Sequence, residues 1–562
     1  MKKRKAGIGG VIAVLFVLGA FLLYRYLPGK ERMELTEYYG LEVGETAVVI
    51  NSENTGTAAL MQEGAYYLPV DMVQEYLNER FYWDGTYLLY TLPDRTVSYV
   101  PGEASYYDGA EEKENRHTAY DGNAECVTPA CMLIDGALWV DLYVVTQYTN
   151  MTWTHAENPG RIWIWNDWEQ PVKYAQVGKE SALRYRAGIK SPILAELEKG
   201  SQVLILDESI KGWVKVQTTE GVMGYVSAKR VSEGTLYQPS HDFTEPEYAN
   251  LSINETIVMA WHQNLDNSGI YELPDILSHS QGMNVIAPSW FTLSDDMGGF
   301  VSRADAAYTE LAHEAGVAVW AMVDNLNLPV DSYQVLSVTE NRTRLIDGLM
   351  SEALNSGIDG INVDLESLSA ECGVHFAQFI RELSVACHQA GLVLSVDNYA
   401  PQSCTGYYNR AEQALYADYI MVMAYDEHWK GGGVAGSTAS YPFVKEAIER
   451  TLEEVPAEKL VLSIPFYTRL WTENADSRAI GMKELAELLK QWQEPEWLEE
   501  ERQYFATGMA EEGAVSVWIE DLETLSWRLG LADSYELAGV SAWKVGLELA
   551  EVWELLRWYG KE

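Results

Sequence analysis

Positive charge is scarce in this chain: 40 Lys and Arg stand against 83 Asp and Glu, for a formal net charge of −43. Such a surface repels phosphate backbones, which excludes nucleic acid as a partner. It also excludes adhesion of the body of the chain to an anionic bilayer. Cysteine is scarce too. Cys126, Cys131, Cys372, Cys387 and Cys404 form no C-x-x-C pair and have no His at ligand spacing, so neither a metal nor a cofactor is expected. Their odd number leaves a free thiol or an intermolecular bond, a Cys126–Cys131 bridge stays open, and the redox compartment is not fixed. No G-x-G-x-x-G follows the first apolar run of the C-terminal half. Gly431-Gly-Gly433 lacks the Lys-Ser/Thr pair of a phosphate loop and reads as a flexible loop. Long apolar runs are absent except at residues 6–24.

That run follows Met-Lys-Lys-Arg-Lys and ends at Arg25. At 1.5 Å rise per residue it spans about 28 Å, enough for a bilayer core. Residues 1–30 are expected to form a basic cytoplasmic stub and a transmembrane helix, with the bulk of the chain outside the cell. A cleaved signal peptide, cut near Gly19 and Ala20, is the alternative.

The remainder has globular composition, with 47% apolar and 22% charged residues among 562, and its length predicts several domains. Its 19 Trp and 35 Tyr suit carbohydrate or peptide contacts as well as core packing. Residues 34–170 read as a duplicated α+β module. Gly64-Ala-Tyr-Tyr-Leu-Pro-Val-Asp71 is echoed by Gly136-Ala-Leu-Trp-Val-Asp-Leu-Tyr143, each followed by an amphipathic stretch and a β-rich segment. The module resembles the copper-amine-oxidase N-terminal-like domain, which implies a spacer or wall-binding role. His117 and His155 stand alone, without a copper-ligand cluster. Residues 171–232 alternate with period two in short runs, as in Gly212-Trp-Val-Lys-Val216 and Gly221-Val-Met-Gly-Tyr-Val226, and predict a small all-β barrel. The pattern resembles the bacterial SH3-type domain, which implies a cell-wall peptide as partner; Trp213 and Tyr225 are expected in the barrel core. Residues 233–250 read as a linker.

Residues 251–562 alternate β-like runs with helical patterns. Eight such units predict an α/β fold, a (β/α)8 TIM barrel, with an inserted subdomain before the eighth strand. A doubly wound open sheet is the alternative. The fourth strand reads Asp359-Gly-Ile-Asn-Val-Asp-Leu-Glu366. Alternation sends Ile361, Val363 and Leu365 toward the outer helices and Asn362, Asp364 and Glu366 into the barrel. Crowded carboxyls in a core push their pKa values apart and leave one protonated beside one ionised, the equipment of glycosidic cleavage.

Asp-x-x-Asp-x-Asp-x-Glu on strand four is the signature of glycoside hydrolase family 18, which this segment resembles, with Asn362 at the second Asp position. The Asn resembles the branch of bacterial spore-cortex and peptidoglycan N-acetylglucosaminidases. Met423-Ala-Tyr-Asp426, Leu462-Ser-Ile-Pro-Phe-Tyr467 and Gly539-Val-Ser-Ala-Trp543 agree with the same family. The resemblance implies a retaining, substrate-assisted mechanism. Glu366 would be the acid and then the base, Asp364 would orient the acetamido N–H, and Tyr425 would donate to the acetamido oxygen. Asn362, Asp359 and Asp426 would support them. With Asn at 362, the Asp364 proton is not expected to be shared with an inner carboxylate. Trp543 would floor the sugar subsite, and Trp261, Trp290 and Trp320, at strand ends, are candidate sugar platforms. The implied partner is an N-acetylated glycan polymer, peptidoglycan or one like chitin. A chitinase or endo-N-acetylglucosaminidase is one rival. A catalytically silent wall-binding protein is another, which the presence of both Glu366 and Asp364 opposes.

Overall fold

The computed structural model describes residues 25–559 except 43, 121, 123, 327, 475 and 512. The expected transmembrane segment, residues 6–24, lies outside the described residues. Among those described, no helix is long and apolar enough to cross a membrane. The chain divides into two compact units, Met1–Tyr90 with Ser98–Glu245, and Thr91–Val97 with Pro246–Glu562.

The first unit contains a seven-stranded sheet in which the two sequence repeats meet. In each repeat a hairpin turn places two successive residues at positive φ, Glu63-Gly64 and Asp135-Gly136. A two-residue hairpin needs such residues when its twist must match the strands. Strand Ala65–Pro69 and helix Val70–Tyr76 follow the first turn; strand Ala137–Asp141 and helix Leu142–Tyr148 follow the second. These two strands pair antiparallel, with Leu68 opposite Val140. Those residues are also equivalent in the repeat, so the duplication folds about a local two-fold axis. His117, buried, bonds to Asp141 Oδ2 at 2.9 Å, and Asp141 Oδ1 accepts from Tyr143 N at the start of the second helix. A second seven-stranded sheet covers residues 172–237. Its core is Leu183, Leu194, Val203, Val214, Val216, Val222 and Val226. Trp213 and Tyr225, expected in that core, are half-buried, because alternation gives the inward positions to Val214 and Val226.

In the second unit eight parallel strands form a closed ring: β1 (Ile257–His262), β2 (Val285–Leu293), β3 (Ala318–Asp324), β4 (Gly360–Asp364), β5 (Val393–Tyr399), β6 (Tyr419–Met423), β7 (Leu460–Pro465) and β8 (Gly539–Trp543). β1 pairs with both β2 and β8, which closes the barrel and removes the open-sheet alternative. Ile361, Val363, Leu394 and Val396 belong to the layer under the helices, while Met259, Trp261, Trp320, Met322 and Met421 fill the interior. Between β7 and β8 the chain adds a five-stranded sheet, ordered Ser477–Gly481, Tyr467–Thr472, Gly513–Ile519, Gln503–Ala510, Glu496–Leu498, with helix Met482–Leu489. Gln503 of this insertion donates to Glu520 Oε1 at 2.8 Å. Arg528, from helix Leu522–Ser534, bonds both oxygens of Glu520 and the carbonyl of Ala439.

Candidate active site

The polar file of β4 enters the barrel and steps toward its C-terminal end, where barrel enzymes carry their chemistry. Asn362 lies deepest. Its Oδ1 accepts from Trp261 Nε1 at 2.9 Å, and its Nδ2 donates to Ser395 Oγ at 3.0 Å and Asp397 Oδ1 at 2.8 Å. Asp364 comes next and is buried, and its Oδ1 has no hydrogen-bond partner among the described residues. Glu366 is half-buried at the mouth. Its Oε2 accepts the Tyr399 hydroxyl at 2.6 Å. Asn325, just beyond β3, grips the Glu366 backbone from both sides, Oδ1 accepting from its N–H and Nδ2 donating to its carbonyl, each at 2.9 Å. Ser367, at φ 54°, turns the chain away and donates its N–H to the Tyr399 oxygen at 3.1 Å.

The electrostatics follow from burial among acids. Desolvation raises the Glu366 carboxyl above its usual range, the Tyr399 bond opposes the rise, and Asp426 and Asp324 add to it. Asp364 is pushed well up by burial and then by Asp397, Glu366 and Asp324. Asp397 is pushed up by burial, against the Asn362 hydrogen bond, and further by Glu366. Tyr425, after β6, is raised by burial, then by Tyr467 and by the carboxylates of Asp364, Asp397 and Glu366, so its phenol keeps its proton and can donate. Asp426 accepts from Arg469 Nη2 of the insertion at 3.0 Å.

The expected residues are only partly brought together. Asp364, Glu366, Tyr425 and Asp426 cluster at the mouth, and Asn362 lies beneath Asp364. Asp359 is elsewhere: its Oδ2 accepts from His313 Nε2 at 2.8 Å and Val319 N at 2.7 Å, at the N-terminal end of the strands. Five residues of strand put it about 16 Å from the Asp364 end, so it pins the barrel floor and does not support Asp364. Trp543 is half-buried, with its ring 5.9 Å from that of Trp261. Trp261 is itself 1% exposed and holds Asn362. Trp320 is 0% exposed and stacks on Tyr419 inside the barrel, and Trp290, also 0%, packs edge-on against Tyr308 in the outer layer. Neither can floor a sugar. Asp397, Tyr399, Asn325 and Asp324 complete the site without having been expected. The run Ser395-Val-Asp-Asn-Tyr399 carried the signal for two of them, since its alternate residues form a second polar file.

Residues 222–548 match the family described as glycosyl hydrolases family 18, and residues 180–232 match the bacterial SH3 domain. Among curated proteins the chain is 26% identical over 301 residues to "Uncharacterized glycosylase YvbX" of Bacillus subtilis, covering 49% of this chain and 84% of the relative. It is 26% identical over 229 residues to the "Cortical fragment-lytic enzyme" of the same organism, covering 38% of this chain and 53% of that one. The chain thus spans about half the length of the second relative. Among solved structures, a chitinase from Chromobacterium violaceum aligns over 54% of this chain and 99% of its own, at 21% identity and a TM-score of 0.49.

Proposed function

The chain belongs to glycosyl hydrolase family 18 and is a glycosidase that carries a bacterial SH3 domain; from that premise we propose that it cleaves polymers containing N-acetylglucosamine, with peptidoglycan as substrate, by a retaining, substrate-assisted route. Glu366 protonates the glycosidic oxygen. The substrate's 2-acetamido oxygen attacks the anomeric carbon, giving an oxazolinium ion and releasing the leaving sugar. Asp364 accepts the acetamido N–H and faces the positive charge, and Tyr425 donates to the acetamido oxygen. Glu366 then takes a proton from the water that opens the ring. One observation carries this reading: Asp364 Oδ1, buried and unpartnered among the described residues, lies two residues along the chain from Glu366, a carboxyl that burial raises above its usual range. An acceptor held open beside a proton donor fits an acetamido group at the scissile bond.

The substrate choice draws on the relative named as lysing cortical fragments and on the SH3 segment, for which a cell-wall peptide is the proposed partner. Residues 34–170 serve in this reading as a spacer or wall-binding module of the copper-amine-oxidase N-terminal type. Residues 6–24 anchor the protein in the membrane with residues 26–562 outside. The test is mass spectrometry of products from purified peptidoglycan and from chitin oligomers. New reducing ends on N-acetylglucosamine support the proposal, and ends on the other sugar of the peptidoglycan strand overturn it.

A further inference from the structure

β4 and β5 run parallel in register, Asn362 opposite Ser395 and Val363 opposite Val396. Their next residues, Asp364 and Asp397, both face the interior, on neighbouring strands that lie about 4.8 Å apart. Both are buried. Asp397 Oδ1 is fixed by Asn362 Nδ2 at 2.8 Å, and Asp364 makes no competing hydrogen bond at Oδ1 among the described residues. Two carboxylates this close, away from water, cannot both stay ionised. Among the described residues the groups around them offer no compensating cation: Asp324 from β3, Glu366 from the end of β4, Tyr399 from β5, and Tyr425 and Asp426 from beyond β6. Arg469 is engaged with Asp426.

From this placement we infer that Asp364 and Asp397 hold one proton between them, and that Asp397 is the positioning residue that takes this proton when Asp364 turns its charge toward the substrate. The O–H bond on Asp364 breaks as one forms on Asp397, so no outside acid or base is needed. Asn362 keeps Asp397 in place for the exchange. The carboxylate that the signature's second position lacks is thus supplied from the next strand. Burial raises both carboxyls, in keeping with a retained proton. The inference rests on the proposed role of Asp364.

The test is the pH profile of kcat/KM on N-acetylglucosamine oligomers. A pair sharing a proton releases its first proton at lower pH than either member alone. Asp397→Asn is therefore expected to move the acidic limb to higher pH, by roughly one unit or more. Exchanging amide and carboxyl, Asn362→Asp with Asp397→Asn, should bring the limb back down. An Asp397→Asn profile that superimposes on the wild type, with only its height reduced, overturns the inference and leaves a purely structural role. Melting temperatures accompany both variants. Should Asp397→Asn fold poorly, the exchanged pair alone decides: a wild-type acidic limb supports the inference and a displaced one overturns it. Failure of the underlying reading has a separate signature, turnover that survives Glu366→Gln.

Discussion

The Tyr399 hydroxyl donates to Glu366 Oε2 at 2.6 Å while its oxygen accepts the Ser367 N–H at 3.1 Å. One phenol thereby fixes both the carboxyl proposed as the acid and the turn that ends its strand. The bond favours ionised Glu366, so it lowers a pKa that burial raises. Removing it with Tyr399→Phe leaves burial unopposed. The acid form then persists to higher pH, and the basic limb of kcat/KM should move to higher pH. A basic limb that stays or moves down would show that Glu366 is not the titrating acid.

Glu366→Gln keeps the side chain's size and its Tyr399 contact but removes the transferable proton. We expect the fold and oligosaccharide affinity to survive, while kcat falls at least ~100-fold. Steady-state kinetics with binding measured by calorimetry separates the two. Turnover near wild type would remove Glu366 from the mechanism.

If the acetamido group is the nucleophile, a substrate bearing a free amine at that sugar should not be cleaved there. A thiazoline mimic of the oxazolinium should compete with substrate. Efficient hydrolysis of the de-N-acetylated polymer would point instead to an enzyme carboxylate as nucleophile.

Arg528 and Glu520 are 1% and 0% exposed. Burial holds the Glu520 carboxyl up at about 7 even with Arg528 opposing the rise; Arg528→Met removes that opposition and breaks the buried pair, which should cost about 3–5 kcal/mol of stability. Adding Glu520→Leu should restore much of the loss. Chemical denaturation of the two variants reads this directly, and a single variant as stable as wild type would contradict it.

With a net charge of −43, the body of the protein gains nothing from anionic lipid. Under the proposed anchor, high salt should fail to strip the protein from membranes and detergent should succeed. A soluble form starting beyond Gly19 would identify a cleaved signal instead.

The period-two pattern of β4 was legible because strand geometry leaves no choice: once Ile361 and Val363 pack under the helices, Asn362 and Asp364 must face inward. Asp359 shares the parity of Ile361 and Val363, and its expected support of Asp364 came from the family signature, which carries no axial position. The tryptophans mislead for a related reason. Trp290 and Trp320 lie near strand ends, but Trp290 falls on the outer parity of β2 and Trp320 sits too deep in β3. The apolar character of the fifth strand ends at Val396, but the strand continues through Asp397 to Tyr399. Hydrophobicity marks where a strand is buried, not where it stops, and polar residues at a barrel mouth fall outside that signal. Asn325 acts through its contacts with the Glu366 backbone, which no sequence spacing encodes.

The insertion between β7 and β8 leaves and re-enters the barrel on strands that are themselves paired, Trp471 opposite Ser516, with Thr468 Oγ1 bonded to the carbonyl of Trp518. Its two ends are therefore already held together before the loop beyond them is counted. Lengthening a turn of that loop away from Glu501 and Gln503, which bond Tyr441 and Ser437, adds closure entropy that grows only with the logarithm of its length and leaves the strand pairing of the barrel in place. The insertion, whose Arg469 reaches Asp426 at the barrel mouth, can accordingly vary in length at its far turns while the catalytic strands keep their register.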